Sequence, residues 1–304
     1  MHGVINFLKP PGMTSHDAVQ MARRATGIKR IGHGGTLDPA AAGVLPLCIG
    51  AATRLSEYLQ QHGKEYIAES TFGYETDTLD AVGETIKTQP DFAPDKIAIQ
   101  GALQHFIGEI QQIPPHYSAL KKDGKKLYEL ARAGELPALE PRCVHIQALE
   151  LMHFMPATSC TPARTMLRIQ CGSGTYIRSL IRDIAHHLGG CATMTFLVRT
   201  HSGGDAIADA YTAEEIQENP AACLTPLPKV LSGCFDEVVC DDEKVLRLSQ
   251  GQWVETNWQN NQVAAMSADG NLAVIAKRLD DSARYKPEKV MEMRSVVPGA
   301  RSGA

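Results

Sequence analysis

The chain has 304 residues, 43% of them hydrophobic and 21% charged. That composition fits one large or two ordinary globular domains and excludes collagen-like, coiled-coil and disordered classes. Thirty Lys and Arg against 34 Asp and Glu give a formal net charge of −4, which taken alone speaks against a nucleic-acid binder.

Along the chain, Thr14, Ser15 and Asp17 read as an N-cap with an acid in the first turn, ahead of a short helix over 18–25. Gly27 closes it, with Arg23 and Arg24 in its last turn. The glycines of 32–35 break regular structure and put 33–39 in a loop. Apolar spacing then predicts a helix over 52–61, a strand over 65–72 and a helix over 94–107. Pro114-Pro115 marks a loop before the basic stretch 121–126, which suggests a mobile flap around Gly124. Strands are expected over 144–154, 163–171 and 193–200, with a helix over 176–188. Strands mixed with helices and hairpins make an α+β or mixed α/β core. The acidic stretch with Pro220, Pro226 and Pro228 reads as an exit linker carrying a short helix. From about Phe235, the runs 245–251, 253–254, 263–266 and 272–276, with an Asp269-Gly270-Asn271 turn, indicate a small β domain of short strands. The expected division is 1–233, 236–294 and a tail over 295–304.

Charge is unevenly spread. Residues 201–243 hold Lys229 against ten acids, so the rest of the chain sums to +5. Arg164, Arg168, Arg178, Arg182 and Arg199 face only Asp183 within 161–200. Both ordinary surface scatter and a positive face for a polyanion fit these counts. No run approaches the ~18–20 apolar residues of a membrane helix. The best, 40–52, contains Gly43, Pro46 and Gly50. With no basic-then-apolar leader and eight scattered cysteines, the expectation is a cytoplasmic protein with reduced thiols. Zinc-ligand spacings, phosphate loops and dinucleotide glycine fingerprints are missing, so no metal and no cofactor is expected.

The densest unusual stretch is Gly32-His33-Gly34-Gly35-Thr36-Leu37-Asp38-Pro39. Its glycines permit close approach of a ligand to backbone. Alone, Asp38 before Pro39 is a common turn device, and His33 reads as structural. With Ala42-Gly43-Val44-Leu45, however, the stretch closely resembles the signature of TruB-type tRNA pseudouridine synthases. Four further segments agree in order: Gly3 with 9–15 (Lys-Pro-Pro-Gly-Met-Thr-Ser), Lys64-Glu65-Tyr66, 112–121 from Gln112 to Lys121, and 174–183 from Gly174 to Asp183. The run 76–80 and Leu197 with Arg199-Thr200 also fit, so the likeness covers about 3–230. Leu248-Ser249-Gln250-Gly251-Gln252 looks like the PUA-type β domain of many members.

The resemblance implies a mainly antiparallel sheet and an enzyme that turns a uridine of the tRNA T loop, position 55, into pseudouridine. The N1–C1′ bond breaks, the base turns, and C5 joins C1′, with no cofactor. It implies that Asp38 is the catalytic carboxylate, as nucleophile or as partner of a glycal-like intermediate. Tyr66 is implied to be the pocket tyrosine, able to stack on the base or take the C2′ proton. Arg178 would hold the aspartate through its planar fork, and Tyr176 and Leu197 would pack around the base. The buried target must be extruded, and His33 fits a residue that contacts the flipped nucleotide. Lys64, Lys121 and Lys122, with Lys125 and Lys126, fit backbone phosphate contacts. Val198 stands where relatives commonly carry another arginine. The expected partner is tRNA through its T stem-loop, bound by a monomer without guide RNA or membrane. A non-catalytic RNA chaperone and a guide-RNA-dependent subunit are the competing classes. The full set Asp38, Tyr66 and Arg178 argues against the first, and the lack of long basic extensions against the second.

Overall fold

The computed structural model describes residues 1–122, 124–270, 272–279 and 283–292. The tail expected over 295–304 and Asn271 of the expected turn lie outside the described residues. The core is a ten-stranded sheet of mixed α/β architecture. Its main path runs Leu224–Pro226, Gly3–Lys9, Ala42–Ile49, Ala192–Ser202, Lys64–Phe72, Arg164–Cys171, Arg142–Met155 and Gly108–Gln112. Neighbours on that path are antiparallel except Ala42–Ile49 with Ala192–Ser202, which meet in parallel at Ala42 and Gly43. The apolar run of Ala42–Ile49 is buried from Gly43 onward, as a central strand covered on both faces must be. Toward the edge, Arg142–Met155 alternates buried and exposed residues over much of its length, as one wet face requires.

Helices seal the sheet. In Ser15–Thr26, Thr14 and Asp17 form a reciprocal capping box and Gly27 closes the end at φ 70°. Such a cap is worth about 1 kcal/mol, and the helix buries Ala18, Val19 and Ala22. Ile177–His187 buries Leu180, Ile181, Ile184 and Ala185, which fixes its first turn under the sheet. Among the described residues, no helix is long and apolar enough to cross a membrane.

A second sheet has the order Asp236–Val239, Gln262–Met266, Leu272–Arg278, Arg284–Glu292 and Val254–Glu255. It forms a C-terminal β domain whose Ala264, Ala273, Ile275 and Met291 share one apolar cluster with Val4, Cys48, Ala51, Ala52, Leu55, Leu59 and Leu231 of the larger part.

Three local expectations need correction, and the basic stretch gains a definite shape. The run 245–251 is mostly helix, Asp242–Ser249, because Asp241 caps it and Val245 and Leu248, three apart, share a buried face. The acidic segment is no linker: Leu224–Pro226 pairs with Gly3–Ile5 at the sheet edge, and helix Leu227–Cys234 packs Leu227 and Leu231 inward. His33 ends a short strand, Ile31–His33, rather than opening a loop. The basic stretch is a hairpin of Lys121–Lys122 with Lys125–Lys126, turning through Gly124 at φ 83°.

Candidate active site

The loop after Ile31–His33 carries Asp38, and its backbone is fixed from three directions. Ser15 Oγ donates to Leu37 O at 3.0 Å and accepts from Leu37 N at 2.9 Å. Lys9, fully buried, donates through Nζ to Pro10 O, Met13 O and Pro39 O at 2.9, 2.7 and 3.3 Å. Arg199, also fully buried, donates to Val44 O at 2.7 Å and to Thr36 O and Gly35 O, both at 3.2 Å. Gly35 sits at φ 141°, a backbone state that L side chains rarely adopt. Gly43 is equally constrained, since a Cβ there would overlap the backbone carbonyl of Arg199.

Arg178 then holds the carboxylate itself. Its Nε donates to one Asp38 oxygen at 2.9 Å and its Nη2 to the other at 3.2 Å. The rest of the fork is spent on Thr78 O at 2.8 Å and Tyr117 O at 3.0 Å. Asp80 stands 3.8 Å from the same Nε. Between Thr78 and Asp80, buried Leu79 is held at φ 63°, which costs a β-carbon residue of order 1 kcal/mol and is sustained by the packing around it. The arginine side chain is 5% exposed, whereas Asp38 is 32% exposed and faces a cavity of about 530 Å³. The donor is dry and the acid is reachable.

Tyr66, Tyr176 and Leu197 line the same cavity with Asp38, Arg178 and Lys64. Tyr66 and Leu197 come from adjacent strands, Tyr66 opposite Arg199 and Leu197 opposite Ala68. Burial pushes the Tyr66 phenol up, with the charge of Arg199 working against it. The Tyr176 phenol is likewise raised by burial. Its backbone is clamped by Gln112, whose amide donates to Tyr176 O at 3.1 Å and accepts from Tyr176 N at 2.8 Å. Ser118, Ala119 and Leu120 close one side of the cavity, and helix Ser56–Gln61 contributes Glu57, Gln60 and Gln61.

Other expected site residues stand apart. His33 is absent from the cavity lining; it is half-buried, with its Nδ1 unpaired and its pKa lowered by burial. Lys121 and Lys122 do not reach the cavity, and Lys122 donates to Ala138 O. Lys64 does line it, but its ammonium donates to Gln60 O and His62 O at 2.8 and 2.9 Å. Burial brings that lysine down to about 8. Lys9 falls to about 8 for the same reason, with Asp38 opposing the shift. Sequence reasoning passed over Ser15, Lys9, Arg199 and Gln112 as site residues, although each lies in a quoted motif. Among the described residues, no group of three or more His, Cys, Asp or Glu could hold a metal ion.

Residues 23–177 match the family described as TruB family pseudouridylate synthase, N terminal domain. The chain is 41% identical over 290 residues to tRNA pseudouridine synthase B of Caldanaerobacter subterraneus subsp. tengcongensis, covering 95% of this chain and 98% of that one. With tRNA pseudouridine synthase B of Symbiobacterium thermophilum it shares 46% identity over 234 residues, 75% of this chain and 77% of the other. A chain from the crystal structure of a Cbf5-Nop10-Gar1 complex superposes with a TM-score of 0.70 at 26% identity, over 96% of this chain and 85% of that one.

Proposed function

This chain belongs to the TruB family of pseudouridylate synthases, and on that premise we propose that the cavity beside Asp38 receives uridine 55 of the tRNA T loop after its extrusion from the stack. The carrying observation is the two-point pairing of a partly exposed Asp38 with a dry Arg178 at that cavity. Asp38 acts at the ribose, either attacking C1′ or facing the sugar as the glycosidic bond opens. The freed uracil turns within the cavity, C5 bonds to C1′, C5 gives up its proton, and N1 ends protonated. Tyr66, Tyr176 and Leu197 pack around base and sugar. Burial raises the Tyr66 phenol, which favours its neutral form against the base.

His33 contacts RNA near the flipped nucleotide, and Lys121 and Lys122 meet phosphates from the hairpin. The hairpin follows the Ser118–Leu120 wall of the cavity, which supports that placement. The C-terminal β domain extends the contact to full-length tRNA; residues 244–304 carry nine cations against six acids. The enzyme works in the cytoplasm as a monomer, without guide RNA, metal or cofactor. The match to a protein named tRNA pseudouridine synthase B over 98% of its length supports the assignment of tRNA as substrate. Tritium release from 5-tritiated uridine tRNA, followed by mass-spectrometric mapping, tests the reading. Desalted, chelator-treated protein alone should form pseudouridine at one T-loop position. Dependence on a guide RNA, or modification elsewhere only, would overturn it.

A further inference from the structure

The lining of the catalytic cavity brings two acids and two bases together among the described residues: Asp38, Glu57, Lys64 and Arg178. Arg178 is committed to Asp38, and Lys64 to backbone carbonyls. Glu57 is therefore a negative group on a wall that must accept a polyanion. Its compensation comes from the other sheet. Lys289 Nζ lies 2.6 Å from Glu57 Oε1, although 232 positions separate them in the chain.

The frame around this pair is firm. Arg54 donates to Val290 O at 2.5 Å, and Tyr58 lies edge-on to Phe235 with centroids 4.9 Å apart. The Tyr58 hydroxyl reaches Glu288 at 3.4 Å, while Leu55 and Leu59 share an apolar cluster with Ile275 and Met291. Helix Ser56–Gln61 thus presents one side to the cavity and the other to strand Arg284–Glu292. A recess between them, lined by Glu57, Gln61, Lys286 and Lys289 among others, adjoins the cavity through Glu57 and Gln61.

We propose that Lys289 is a positioning residue for RNA entry: it acts through Glu57, holding that carboxylate aside and cancelling its charge at the cavity wall. The C-terminal domain then serves the catalytic cavity directly, besides any contact it makes with distant parts of tRNA. This rests on the cavity being the uridine site.

A double-mutant comparison on a 5-tritiated T stem-loop tests it, using the full chain. Lys289→Met should raise KM by about 3- to 10-fold at low salt with little change in kcat, because a lone acid at the mouth repels phosphate over a Debye length. Lys289→Arg should keep KM, and Glu57→Gln added to Lys289→Met should restore it. The slope of log affinity against log salt should become shallower in Lys289→Met and return to the parent's when Glu57→Gln is added; a direct phosphate contact by Lys289 would leave the double variant about one unit shallower. Circular dichroism and melting confirm that each variant is folded. An unchanged KM in Lys289→Met, or a double variant as weak as the single one, overturns the proposal. Absence of turnover in the parent would instead overturn the assignment of the cavity.

Discussion

The loop that carries Asp38 and the hairpin of Lys121–Lys122 with Lys125–Lys126 both turn through glycine and both bear charge, yet they are tied to the fold in opposite ways. Around Asp38, three buried side chains, Lys9, Ser15 and Arg199, occupy the backbone of residues 35–39, and a fourth, Arg178, occupies the carboxylate. In the hairpin, Lys121 and Lys125 are exposed, and among the described residues Lys122 donates to the remote carbonyl of Ala138. A group that meets a reacting carbon must be held to within a fraction of an ångström. Groups that meet phosphates can follow them, at small cost in affinity.

Substitutions can break this contrast. The largest effect should come from Asp38→Asn, which keeps shape but removes the carboxylate charge. Turnover in the tritium-release assay should fall at least about 10³-fold, with melting temperature and tRNA binding near those of the parent. Wild-type turnover would end the assignment.

Next in size is Arg199→Lys. An ammonium cannot serve Gly35, Thr36 and Val44 with the spread of a guanidinium. Single-turnover kcat should drop roughly 10- to 100-fold and stability by about 2–4 kcal/mol, while binding of an abasic stem-loop changes little. Equal loss of binding and kcat would show that the loop frame is not specific to catalysis.

Smaller still, Lys121→Ala with Lys122→Ala should weaken tRNA binding about 2- to 5-fold and lower the salt slope by up to about two units, leaving saturated kcat intact. A drop in saturated kcat would instead tie the hairpin to the chemical step.

The mildest test uses a carboxyl outside both regions. Burial, with the charge of Asp209 adding to it, raises Asp205 to about 6 from an ordinary 3.8. A raised acid favours the fold while neutral, so its contribution is full below the ordinary value and lost as pH climbs through about 6. Asp205→Asn should therefore melt higher than the parent at pH 8, by a few degrees, and level with it near pH 4. A gain that does not vary with pH would point to a packing effect.

Much of the local grammar was legible. The Thr14–Asp17 capping box, the Gly27 terminus and the alternation over 66–70 in strand Lys64–Phe72 follow from neighbours a few residues apart. The cavity set Asp38, Tyr66, Arg178, Tyr176 and Leu197 was found through motif resemblance, and these side chains do converge. What escaped is what joins remote segments. Ser15 meets Leu37 across 22 positions and Arg199 meets Thr36 across 163, and no periodicity encodes either. Lys64 was picked out by the Lys64-Glu65-Tyr66 motif and lines the cavity, but the motif does not show that its ammonium is hydrogen-bonded to the carbonyls of Gln60 and His62. The run 245–251 read as strand because Val245 and Leu246 are good strand residues; the tertiary face shared with Leu248 favours helix.

The apolar cluster shared by the two sheets also has a consequence on the ribosome. Ala51, Ala52, Leu55 and Leu59 are made early, but their partners Ala264, Ala273, Ile275 and Met291 come more than two hundred residues later. At ~5–20 residues per second, this face waits on the order of 10–50 s for its cover. Late in that interval, once Leu224–Pro226 has been made, the larger sheet can already be paired. The nascent chain therefore passes through a state with a formed cavity and an open greasy flank, the kind of surface that holdase chaperones recognise. Slowing translation after residue 226 should lengthen that state and raise the yield of insoluble product.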